Sequence, residues 1–170
     1  MKTYVLGLLF FGLTNLMIAQ SDLAVLTPSN QNMYASSKTV LNAEYLNTFT
    51  TQDFSIKIEK LQNLVANYNI KMADVYQAKN NGSYTVDFKE GDNIITAVYN
   101  KNGVLLSCDE NYQAIKLPYA VSSKLIKEYP HWAIKEVKCN IKYIKDNERS
   151  IVYHVAINNG GKTKKITIKV

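Results

Sequence analysis

The chain has 170 residues, a formal net charge of +6, 46% hydrophobic residues, two cysteines and two histidines. That length admits one domain or two small packed repeats, and so few imidazoles and thiols can be checked one by one for nucleophile and metal sets. None of the usual spacings is present, so no metal and no cofactor are implied.

In chain order, Met1-Lys2-Thr3 supplies one cation, an apolar run extends from Tyr4 to Ile18, and Ala19-Gln20-Ser21 follows. Together they read as a secretory signal peptide over 1–19, the run being short for a membrane span of about 20 residues. Met17 is large for the −3 position, which blurs the cleavage site by a residue or two. No Cys follows the run, so a lipoprotein anchor is not expected. The expectation is an exported protein, periplasmic or extracellular, with no transmembrane segment after signal removal.

Residues 20–52 are rich in Ser, Thr and Asn, most densely over 27–42, and read as a polar N-terminal segment or linker. From there the pattern becomes periodic. Phe54, Ile58, Leu61, Val65 and Tyr68 recur at spacings of four and three, one face of a helix with Asp53 as its N-cap. Strands are then expected over about 70–79, 83–89, 92–100 and 103–110. The turns between them fall at Asn80-Asn81-Gly82, Glu90-Gly91-Asp92 and Lys101-Asn102-Gly103, where Gly accepts the positive φ of tight hairpins. Asn81-Gly82-Ser83 is also a glycosylation sequon.

A second helix opens at Pro118, carries Val121, Leu125 and Tyr129 on one face and stops before Pro130. Three strands follow, near 132–146, 149–158 and 161–170. Alternation puts Val137, Cys139, Ile141 and Tyr143 inward, with Glu136, Lys138, Asn140 and Lys142 outward. It does the same for Ile151, Tyr153, Val155 and Ile157, and for Ile166, Ile168 and Val170. Tyr68 and Tyr129 lie 61 positions apart, and the Tyr84 and Tyr153 strands lie 69 apart, so a helix-plus-meander unit reads as written twice. The expected fold class is α+β, an antiparallel sheet with helices on one face, in two tandem half repeats over 53–110 and 117–170.

Charge is unevenly shared: residues 20–110 hold seven Lys against ten acids, whereas residues 111–170 hold twelve Lys or Arg against four. A basic half attracts acidic proteins, anionic lipid or nucleic acid, the last being least accessible to an exported chain. A sheet covered on one side leaves the other to solvent or a partner, and on it Lys138, Lys142, His154 and Lys165 are the contacts that alternation and charge single out. His131, beside Trp132 at a helix-to-strand junction, reads as a turn residue. Cys108 and Cys139 both face inward; they read either as a disulfide closing a loop of 31 residues or as two separate core residues. The acidic pairs Asp109-Glu110 and Asp146/Glu148 fall at expected strand ends, where solvated charge is ordinary. Tyr68, Tyr84, Tyr129, Tyr143 and Tyr153 read as core.

The run Leu117-Pro118-Tyr119, Val121, Tyr129-Pro130-His131-Trp132 and Ile134, with Tyr143 and Lys162-Thr163-Lys164-Lys165, resembles the PepSY-like domain of secreted bacterial proteins. Tyr84-Thr85-Val86-Asp87-Phe88 and Ala97 to Gly103 carry the same resemblance, which covers roughly 53–170. It implies the fold of the β-lactamase-inhibitor protein, a helical layer on an antiparallel sheet whose open surface binds protein. The expected function is a non-enzymatic, inhibitor-like module for an unidentified envelope protein or peptide. The alternatives are a structural envelope protein docking on anionic lipid or polysaccharide, and an enzyme with an unrecognised site.

Overall fold

The computed structural model describes residues 23–26, 40–77, 82–147 and 149–170. The signal-peptide reading of 1–19, residues 27–39 of the polar segment and Asn81 of the sequon lie outside these residues.

Alternating apolar residues build six antiparallel strands in sequence order: β2 (Ser83–Glu90), β3 (Asn93–Asn100), β4 (Leu105–Gln113), β5 (Ala133–Ile144), β6 (Ser150–Asn159) and β7 (Lys162–Lys169). A short strand β1 (Leu23–Leu26) adds to β2 in parallel, so the polar segment contributes a strand where none was expected. The glycines sit at the tight turns, with φ of 58° at Gly91, 84° at Gly103 and 53° at Gly160. Two bulges, at Leu106 and Lys135, interrupt the ladder and shift its register once each.

Three helices, α1 (Ala43–Asn47), α2 (Ile56–Asn67) and α3 (Tyr119–Glu128), contribute side chains to a single core on one face of the sheet. Phe54, Ile58, Leu61, Val65 and Tyr68 are all buried, as the helical spacing requires. Each such side chain contributes roughly 1.5–3 kcal/mol on burial. Tyr84, Tyr143 and Tyr153 are buried, and Tyr129 and Trp132 pack half-buried against the core with their rings edge to face.

Several expectations are corrected. Asp53 does not cap α2; Ser55 occupies that position, and Asp53 Oδ2 instead accepts a long hydrogen bond from the Tyr119 amide at the start of α3 (3.4 Å). Residues 70–77 of the strand expected over 70–79 do not form one, the rest of it lying outside the described residues: Ile70–Met72 makes a 3₁₀ turn that the Asn69 side chain caps, and Ile70 is buried beneath it. The end of the supposed linker is part of the fold. Asn42 is buried, its side chain accepting from the Leu105 amide (2.8 Å) and donating to the Gly103 carbonyl (3.2 Å). One turn further on, Tyr45 and Phe49 enter the core.

Candidate functional site

Opposite the helices, the sheet presents a face built from the outward residues of every strand from β2 to β7. Register places Lys138 of β5 beside His154 of β6, His154 beside Thr167 of β7, and Ala156 between Glu136 and Lys165. These residues line a shallow depression of about 310 Å³. Three of the four basic residues singled out in the sequence therefore converge. The fourth, Lys142, lies two rows further along β5 beyond Asn140, opposite Asp109, and is bridged to it at 3.5 Å.

The face is less one-sided than its lysines suggest. Lys138 is bridged to Glu136 at 3.1 Å, and His154 Nδ1 is 3.3 Å from Thr167 Oγ1. Both ion pairs are exposed, where such contacts are worth about 0–1 kcal/mol, so either lysine can exchange its carboxylate for that of a partner at little cost. Among the described residues Lys165 has no ion pair. Half-buried Ile94, Val98, Val152 and Ala156 run between the polar side chains. A mixed face of this composition suits protein contact better than a small polar solute.

Cys108 and Cys139 are free thiols on adjacent strands and the same face. Cys108 stands opposite Tyr143 and Cys139 opposite Tyr112, a stagger of four residues along β5. At about 3.3 Å per residue that separates them far beyond the roughly 7 Å between Cα atoms that a disulfide tolerates. The disulfide alternative is therefore corrected to two separate core residues. Burial, helped by the nearby Glu110 charge, pushes the Cys139 thiol up to about 12 and raises Cys108 well above the usual range. Neither is a thiolate nucleophile.

Glu110 overturns another expectation. It lies within β4, not at a solvated strand end, and only 1% of it is exposed. Tyr45 (2.7 Å), Gln62 (3.0 Å) and Tyr112 (2.7 Å) all donate to its carboxylate, joining α1, α2 and β4 at one point. Burial raises its pKa to about 7 against the pull of the three donors. The signal was present in the sequence: Cys108, Glu110 and Tyr112 share one strand parity, which puts the carboxylate inward once β4 is extended to Gln113. Enclosed as it is, Glu110 can meet no substrate, and its role is structural.

His131 is an exposed turn residue with φ of 67°, the bridge from α3 into β5. Among the described residues no group of three His, Cys, Asp or Glu side chains is placed to hold a metal ion. No helix of the described residues is long and apolar enough to cross a membrane. Comparison with family models, with curated proteins and with solved structures finds no match to this chain.

Proposed function

We propose that this chain is an exported, non-enzymatic binding module of the PepSY-like kind that holds an acidic protein or peptide surface against the helix-free face of its sheet. The observation that carries the reading is the convergence of Lys138, His154 and Lys165 on one depression of that face, with half-buried apolar residues beside it. Basic residues at such a rim speed capture of an acidic partner and set its register, while the apolar strip provides the contact area. The order helix then three strands, found at α2 to β4 and again at α3 to β7, supports a duplicated half repeat as the origin of the sheet.

The test uses residues 20–170 with Lys138→Glu/Lys165→Glu, and separately Lys142→Glu, to capture partners from envelope and secreted fractions. All three side chains are exposed, so melting temperature should stay within about 2 °C, a surface substitution costing under about 0.5 kcal/mol. A partner held by the native chain should be lost by at least tenfold with the double variant and reduced only slightly with Lys142→Glu. Equal capture by all forms would remove the depression as the binding site. Attachment to anionic vesicles that disappears at high salt would favour docking on lipid instead.

A further inference from the structure

The sheet ends at β7, whose only strand neighbour among the described residues is β6. We propose that this edge is a second docking site, adjoining the open face at Lys165, that takes an extended acidic peptide segment as an eighth strand with alternate apolar side chains under α3.

The backbone is set out for it. The Val170 amide donates to the Ile151 carbonyl (3.0 Å), and β7 pairs with β6 without a bulge. Backbone polar groups alternate sides in an antiparallel strand, so those of Ile166 and Ile168 turn to β6 while those of Thr163, Lys165, Thr167 and Lys169 turn to the free edge. An incoming strand therefore meets a row of donors and acceptors that pair with no other strand among the described residues, the arrangement used in strand addition.

Side chains define what kind of segment fits. Between α3 and β7 runs a groove of about 540 Å³, floored by Ile166 and Ile168 and roofed by Val121, Leu125 and Lys124 of α3. Ile166 and Ile168 are only half-buried although they belong to the core face, because α3 covers them incompletely. A strand added about 4.8 Å beyond β7 would send every second side chain into this groove and the others to the open face, beside Lys165 and Lys169. Apolar residues suit the first set and carboxylates the second.

Charge also decides against the competing occupant, a second copy of the chain. The strand carries Lys162, Lys164, Lys165 and Lys169 and no acid, so pairing it with itself would bring like charges face to face across the strands. Lysines on an edge strand are a common guard against self-association. Here they exclude a second β7 and leave the edge open to a segment of opposite sign.

The experiment uses an eight-residue peptide of alternating Val and Glu, a Val/Lys peptide of the same design, and a Val/Glu peptide methylated on alternate backbone nitrogens. Fluorescence anisotropy should show the Val/Glu peptide binding at least tenfold more tightly than the Val/Lys or methylated forms. On saturation, amide exchange at Thr163, Lys165, Thr167 and Lys169 should slow at least tenfold. Thr167→Pro, which removes one edge donor while leaving the β6 ladder intact, and Lys169→Glu should each weaken binding at least fivefold, whereas the remote Lys71→Glu should leave it unchanged.

No binding of the Val/Glu peptide, equal binding of the methylated peptide, or unaltered β7 exchange would overturn the edge site. Binding that survives methylation yet is lost with Lys138→Glu would do so while leaving the open-face reading intact. A dimer on sedimentation that Thr167→Pro abolishes would identify the occupant as a second copy and overturn the acidic segment.

Discussion

Glu110 is the residue on which pH should act. Its carboxyl holds a proton up to about 7 in the folded chain, against an ordinary value of 4.5, because burial outweighs the hydrogen bonds from Tyr112, Tyr45 and Gln62. Between those two values the folded state binds a proton that the unfolded state has released, so stability falls as pH rises. The Glu110 contribution is complete below about 4.5, declines through neutrality and levels off above about 7, a loss of roughly 3 kcal/mol at 1.36 kcal/mol per pH unit. Glu110→Gln keeps the shape and can satisfy the same tyrosines by rotating their hydroxyls. Urea unfolding at pH 5 and pH 8 should therefore show a smaller drop for Glu110→Gln than for the native chain, by about 2.5 kcal/mol since part of the loss precedes pH 5, with the variant the more stable at pH 8. Parallel pH profiles for the two proteins would show that the carboxylate is already ionised at pH 5.

Among the elements, α2 and α3 look alike in sequence but are anchored differently. In α2, Ile58, Leu61, Val65 and Ala66 are buried, and the Val65 carbonyl accepts from the Tyr99 hydroxyl (2.8 Å). In α3 only Leu125 is buried, with Val121 half-buried along the groove. Ile58→Ala should cost about 4 kcal/mol and Leu125→Ala about 2 kcal/mol, since a cavity beneath α2 is closed on all sides while one beneath α3 opens to solvent. Chemical denaturation of both variants checks the order. Strands β2 to β7 and both long helices were legible because their inward residues follow a period of two or of 3.6, whereas β1 was not. Nor was the helix α1, because its five residues bury only Tyr45, with Phe49 just past its end, and a polar sequence before them masks it. The stretch 70–77 was misread because Ile70 and Met72 alternate like a strand, although Ile70 is 0% and Met72 63% exposed on a 3₁₀ turn. In the open face, alternation located Lys138, His154 and Lys165 but not their convergence, which depends on how β5, β6 and β7 register.

At the scale of the molecule, the first half of the sheet, through β4, and the second half, from α3 onward, do not make two independent domains. Strands β4 and β5, which join them, pair from Ser107 opposite Ile144 to Gln113 opposite Lys138. Tyr143 of β5 packs edge-on against Tyr45 of α1 with ring centres 5.0 Å apart, and the Arg149 guanidinium lies over Phe49, just past α1, at 5.8 Å. Because α3 supplies one buried side chain, the strands of the second half rely on α1 for cover, and a fragment of residues 117–170 would lose that cover along with its pairing to β4. A fragment this short buries a small fraction of its surface and is marginal even with its cover intact. The intact protein should unfold in one step, with fluorescence of Trp132, in the second half, tracking far-UV circular dichroism of the whole. The isolated 117–170 fragment should show no cooperative transition. An earlier Trp132 transition in the intact chain, or a cooperative melt of the fragment, would instead show that the second half is held by contacts of its own, with the β4–β5 seam a boundary between two folding units.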